Sequence, residues 1–330
     1  MNLVVLTTVG LLAVAPGDPP RDAPAPKLVE HGRVAFKPTA AESSVPELFR
    51  LPAATFDYDR ERVYETDKLE VWRVRFPSPI DSPDPVNNVV HAEYLRPKVA
   101  GKRPAVVVLH ILGADFALSR YMAVRFANEG VAAIFVQLPY YGDRRPGGEK
   151  GEARFLSSDI ERSMRSMRQG VCDVRRAAAW LASREEIDAD RLGVTGISLG
   201  GIVSALAAEA EPRFGRVATF LAGGDLGHIL WTMPEAAKYR KLWIESGRTR
   251  DDFTTLTRPF DPLTYADRLR GKRMLMIAGN VDEVIPPVCA RKLWEAAGKP
   301  PIVWYDCGHF SAAAYFLPAM RRSIDFFLAD

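Results

Sequence analysis

Cysteine is scarce in this sequence of 330 residues, with Cys172, Cys289 and Cys307 alone. An odd number cannot form a closed disulfide set, and none of the three falls in a Cys/His cluster with zinc-ligand spacing. A surplus of one charge is also missing. The 44 basic residues face 41 acidic ones, for a formal net charge of +3. No basic block carries interleaved aromatics, so the field and stacking surface that hold nucleic acid are absent. The Arg-rich stretch Arg162–Arg176 lies on a helical pattern and reads as a solvated face. No run reaches the roughly 20 apolar residues that span a bilayer. Leu3–Ala15 instead has the length of a signal-peptide core and ends in Ala13-Val14-Ala15. Export to a periplasm or exterior is therefore expected, although no Lys or Arg precedes the run and Pro16 would follow the cut. Internal repeats are lacking too.

What is present is a globular balance, 47% hydrophobic and 26% charged. Residues 1–26 read as a leader followed by a tether with five prolines between Pro16 and Pro26. Residues 27–330 read as one domain. From about Lys68, strand and helix signals alternate, which indicates helices around a mainly parallel sheet. Leu69–Phe76 and Asn88–Leu95 alternate apolar and polar residues as an antiparallel edge pair would. Ala105–Leu109 and Val131–Leu138 are unbroken apolar runs suited to strands buried on both faces. Helical spacing marks Phe116–Asn128 and Ser163–Arg184. Further strands are read at Arg191–Thr195, Val217–Leu221, Met274–Ala278 and Ile302–Tyr305. From 225 to about 267 the pattern gives way to aromatic-rich sequence, with Trp231, Tyr239, Trp243, Phe253 and Phe260. An insertion there lies above the carboxyl ends of the strands, where ligands bind, and reads as a small cap.

The strongest local signal is Gly196-Ile197-Ser198-Leu199-Gly200. A bare GxSxG is weak, but a strand runs straight into this one and a small-residue helix runs straight out. Such a turn exposes the serine hydroxyl above the sheet, with a helix N-terminus behind it. A serine needs a base. Of five histidines, His309 stands apart because it falls, after Gly308, in the loop beyond the last strand, where it would reach the carboxyl edge beside Ser198. Asp282, between the two, gives the order Ser…Asp…His and would orient the imidazole. Asp225, Glu283 and Asp306 are rivals. The oxyanion needs two fixed donors, expected from the backbone N–H of Leu199 and from that of Leu112 or, second, Ile111, in the loop after Ala105–Leu109.

These residues resemble the α/β-hydrolases, in particular their dienelactone-hydrolase-like and acetyl-xylan-esterase-like branches. The resemblance rests on Asp173–Gly201 through the serine turn, on Asp261-Pro262-Leu263 with Ile277–Pro287, and on Cys307-Gly308-His309-Phe310. It implies a three-layer fold with an eight-stranded, mostly parallel sheet and helices on both faces, no cofactor, and a covalent acyl-enzyme. It also implies that Leu138–Arg144, with Tyr140 and Tyr141, lines the pocket together with Phe310. Two departures stand out. Dienelactone hydrolases use a cysteine nucleophile where Ser198 stands, and His110-Ile111 replaces the His-Gly of many relatives. The expected reaction is hydrolysis of a small-molecule carboxylic ester. Peptide or amide hydrolysis ranks second, and a non-catalytic binding module on the same fold third.

Overall fold

The computed structural model describes residues 28–113, 116–148, 154–157, 159–233 and 236–329. The expected leader and tether both lie outside them. Ten strands form one open sheet: β1 (Val29–Phe36), β2 (Ala54–Glu65), β3 (Leu69–Pro77), β4 (Val89–Pro97), β5 (Arg103–Leu109), β6 (Ala132–Val136), β7 (Ile187–Ile197), β8 (Phe214–Phe220), β9 (Arg273–Gly279) and β10 (Ile302–Tyr305). Their order is β1-β2-β3-β4-β6-β5-β7-β8-β9-β10. The pairings from β1 to β6 are antiparallel, and those from β6 to β10 are parallel. The order runs outward in both directions from β5. Right-handed crossovers therefore place α1 (Ala117–Asn128) and α2 (Ile160–Ala182) on opposite faces. Helix α3 (Leu199–Ala210) lies against α2, while the helix Phe316–Leu328 meets α1 through the edge-to-face pair Phe126–Phe327.

The parallel centre is the part with unbroken apolar strands. Ala105 to Leu109 and Ala132 to Val136 have no exposed surface, because helices cover both sides. Ten strands, against the eight expected, follow from β1 and β2, which lie before the point where alternation becomes readable. Their outer faces are charged, and cross-strand pairs such as Arg33–Asp57 at 2.6 Å line the edge. The strands β3 and β4 do pair antiparallel, but two more strands lie outside them, so neither is an edge.

The Arg-rich stretch is also not simply solvated. Arg175 is fully buried, with Glu42 at 2.6 Å and Glu211 at 3.1 Å, and so fastens the segment after β1 to α2. Arg165 near its start does face water, while Arg162 is half-buried and pairs with Asp84. No helix among the described residues is long and apolar enough to cross a membrane.

One buried group works against the fold. Glu209, near the end of α3, is 1% exposed and neither carboxyl oxygen has a hydrogen-bond partner. Burial pushes its carboxyl well above the usual range, and Asp261 adds to the effect. A carboxyl raised in the folded state favours folding below the ordinary carboxylate range, and that benefit fades as pH climbs toward the raised value. Glu209→Met is expected to raise the melting temperature at pH 7 to 8 and less so near pH 4, which thermal denaturation across that range would check. A gain of about 1 kcal/mol is the scale for removing an unsatisfied buried polar group.

Candidate active site

Strand β7 leads directly into α3 through Ser198, whose backbone sits at φ 54° and ψ −116°. An L-residue rarely adopts that conformation, and a strained serine is held there only by its surroundings. The Ser198 N–H donates to the Phe220 carbonyl at 2.8 Å, and its carbonyl accepts from the Ile202 N–H at 3.0 Å. Close approach is the second constraint. A Cβ on Gly200 would stand 2.5 Å from the Leu109 carbonyl oxygen, and one on Gly201 would stand 2.7 Å from the Ala222 Cβ. A Cβ on Gly196 would strike the Gly200 backbone. The glycines therefore let α3 start flush against β5 and β8, with the serine at the apex.

Beyond β10 the chain turns through Cys307-Gly308, and His309 Nε2 comes to 2.9 Å from Ser198 Oγ. Its Nδ1 lies 2.8 Å and 3.1 Å from the two carboxylate oxygens of Asp282. A carboxylate only accepts, so Nδ1 carries the proton and Nε2 accepts from the serine hydroxyl. Asp282 is 5% exposed, and its Oδ1 accepts from the N–H groups of Val284 at 2.9 Å and Ile285 at 2.7 Å. Glu283 holds the same loop by its backbone, its Oε2 accepting from the His309 N–H at 2.9 Å. A side chain at Gly308 would collide with that carboxylate. Asp225 is occupied elsewhere, capping α4 (Leu226–Thr232) and pairing with Lys292. Asp306 is exposed.

Leu199, Leu112 and Ile111 all border the cavity above Ser198, whose volume is about 420 Å³. As the first residue of α3, Leu199 has an N–H with no acceptor inside its helix. In the facing loop the Gly113 N–H is already engaged by the Tyr141 hydroxyl at 3.4 Å. Phe310 also borders this cavity and is 68% exposed at its rim.

The tyrosines differ from expectation. Tyr140 is 3% exposed and does not line the cavity above Ser198. Its φ of 63° turns it back into the protein, where its N–H donates to Asn87 Oδ1 at 2.9 Å and Arg162 covers its ring. Tyr141 lines a second, neighbouring chamber instead. The loop owes this path to Arg144, wholly buried and bound to Asp173 at 2.8 Å and to the Asn87 and Gln137 carbonyls.

Sequence reasoning passed over His110, whose one signal was a polar side chain ending an apolar strand. It is fully buried against Phe116, Phe135 and Tyr141. Its Nε2 accepts from the Leu138 N–H at 3.0 Å, and its Nδ1 donates to the Ile111 carbonyl at 2.8 Å. The imidazole thus ties the loop after β5 to the loop after β6. Burial lowers its pKa to about 4, so it is neutral at pH 7.

The insertion between β8 and β9 comprises α4, α5 (Ala237–Glu245) and α6 (Arg250–Thr257). Phe253 packs against Trp231 and Trp243, each at 5.5 Å between ring centroids, while Phe260 turns down onto Phe49 of the core. Leu226, Ile229 and Leu230 from α4 reach the cavity above Ser198.

A ten-stranded open sheet of this order, with a serine at the strand–helix turn and a histidine beyond the last strand, defines an α/β-hydrolase. More particularly, residues 36–224 match the family described as Alpha/beta hydrolase domain containing 18, and the chain belongs to it. It is 28% identical over 216 residues to the "Uncharacterized protein Rv2627c" of Mycobacterium tuberculosis (strain ATCC 25618 / H37Rv), covering 63% of this chain and 50% of that protein. The chain therefore matches about half the length of that relative. Acetyl xylan esterase 1 from Thermoanaerobacterium sp. JW/SL YS485 is similar in structure, with a TM-score of 0.65 and 21% identity over 82% of this chain and 87% of that one. A Mycobacterium tuberculosis puromycin-hydrolyzing peptidase is similar at a TM-score of 0.57 and 17% identity, over 83% and 46% of the respective chains. Family and neighbours together support a hydrolase.

Two measurements check these local assignments. Ser198→Gly is expected to raise stability by about 1 kcal/mol in thermal denaturation, since glycine adopts that backbone without strain. A histidine lowered by burial supports folding above its unfolded pKa and withdraws that support as pH falls from about 6.5 toward the folded value of about 4. His110→Gln, whose amide oxygen can still accept from Leu138, is expected to flatten the pH dependence of denaturant midpoints in that window.

Proposed function

We propose that this protein hydrolyses carboxylic esters through a Ser198–His309–Asp282 triad. The hydrogen-bonded line Asp282–His309–Ser198, ending on a hydroxyl held at a strained turn, carries the reading. His309 Nε2 takes the serine proton as Oγ attacks the ester carbonyl, and Asp282 stabilises the imidazolium that forms. The developing oxyanion is met by the N–H of Leu199 and by that of Leu112 or Ile111. His309 then returns the proton to the departing alcohol and activates the water that frees the acid.

The wall of the cavity favours an ester over a peptide. Its polar members among the described residues are Ser198, His309, Tyr305, Tyr315 and Cys307, with no carboxylate to meet a peptide amine. Isoleucines and leucines supply most of the rest, and about 420 Å³ is the scale of a small-molecule site. An apolar acyl group longer than acetyl suits it.

A fluorophosphonate probe is expected to label the protein, and Ser198→Ala to abolish labelling. Against 4-nitrophenyl esters, Ser198→Ala and His309→Ala are expected to lower kcat by at least about 10³-fold, and Asp282→Asn by about 10²–10⁴-fold. Asp225→Asn is expected to keep most of the rate. Rates rising from acetate to hexanoate would fit the apolar wall. An unlabelled wild-type protein, or full turnover by Ser198→Ala, would sink the reading.

A further inference from the structure

Beside the cavity above Ser198 lies a larger chamber of about 780 Å³, roofed by α4, α5 and α6 and floored by the start of α2 and the loop after β6. The two chambers share Leu112, Leu156, Leu230 and Met233 as wall residues, so a ligand passing between these side chains occupies both. Their chemistry differs. The chamber at Ser198 has no charged wall residue among those described, whereas the second holds several arginines among tryptophans and tyrosines.

Arg145 is the buried arginine of this chamber among the described residues. It is 9% exposed, its Nε donates to the Tyr140 carbonyl at 3.1 Å, and its guanidinium lies 6.0 Å from the Tyr141 ring centroid. Among the described residues no carboxylate pairs with it. The acids bordering the chamber are otherwise engaged: Asp159 caps α2 and faces Arg165, and Glu161 also faces Arg165. Of the other arginines, Arg240 donates to the Trp231 carbonyl and Arg248 stacks 4.7 Å from the Trp243 ring centroid. A cation so far removed from water and left without an anion destabilises the fold around it, and a ligand anion offsets that penalty. With Nε engaged, Nη1 and Nη2 present two donors to a two-oxygen acceptor.

We infer that the second chamber receives the far end of the substrate, and that Arg145 holds a single carboxylate there. The substrate class is then an ester with an apolar chain at the scissile carbonyl side of Leu112 and a carboxylate beyond it. The inference rests on the esterase reading, with Arg145 as a specificity-determining residue.

The test uses 4-nitrophenyl monoesters of linear dicarboxylic acids of increasing length, each paired with its ω-carboxamide counterpart, which has the same shape without charge. For the wild-type protein, kcat/KM is expected to favour the carboxylate over the carboxamide by about 10-fold at the best chain length, mainly through KM. Arg145→Met is expected to bring that ratio near one, and Arg145→Lys to restore part of it. Fluorophosphonate labelling of both variants reports that Ser198 is still properly seated. In the Ser198→Ala protein, calorimetry with suberate against suberamide is expected to show the same preference without any turnover. A wild-type ratio near one, a ratio unmoved by Arg145→Met, or a stronger preference for an ω-phosphate would overturn the inference. If suberate binds the Ser198→Ala protein while the wild-type protein resists the probe, the esterase reading fails and the anion site stands.

Discussion

The structure depends on how closely α3 can start against the sheet. Gly200 brings the helix to the carbonyl of Leu109 on β5, Gly201 brings it to Ala222 past the end of β8, and Gly196 lets the chain reverse over its own next turn. At that distance the only route from strand to helix runs through a positive φ at Ser198. The hydroxyl is presented as a result of backbone sterics, and its direction does not rely on a flexible loop. The strain is tolerated because residues 192–197 of β7 and the whole of α3 are buried, so relaxing the turn would mean unpacking the centre of the sheet.

From that fixed point the partners are reached through successive anchors. Glu283 grips the His309 backbone while Asp282, its neighbour, grips the His309 ring. Asp282 is itself held by two backbone N–H groups, which fixes the orientation of its carboxylate against the ring. On the opposite side, His110 and Arg144 do comparable work for the loops that face the serine. Both are buried polar groups whose bonds go largely to backbone carbonyls and N–H groups, which fixes loop paths more firmly than side-chain pairs alone.

The site was legible in the sequence where chemistry and topology coincide. Ser198 sits in a strand–turn–helix context, and His309 and Asp282 follow strands in the required chain order, so three residues spread over more than 100 positions could be joined from spacing. Tyr140 was misplaced because nothing in Leu138–Arg144 announces a positive φ at that tyrosine, nor a buried Arg144 pulling the loop inward toward Asn87 and Asp173, while Tyr141 borders the neighbouring chamber. Strands β1 and β2 were unreadable for a related reason. Their residues face charged cross-strand partners more than a core, so the alternation that marks a half-buried strand is diluted. Arg175 shows the limit of charge patterning: a helical row of arginines looks solvated until Glu42 and Glu211 arrive from distant segments.

The insertion between β8 and β9 largely packs upon itself, with Trp231, Phe253 and Trp243 clustered together, and it reaches the cavity above Ser198 mainly through one short helix. Such a unit can be lengthened, shortened or exchanged while the sheet, the serine turn and the histidine loop keep their shape. Diversification of appetite among proteins sharing this frame is therefore freest in these three helices, and the turn at residue 198 is where variation is least tolerated.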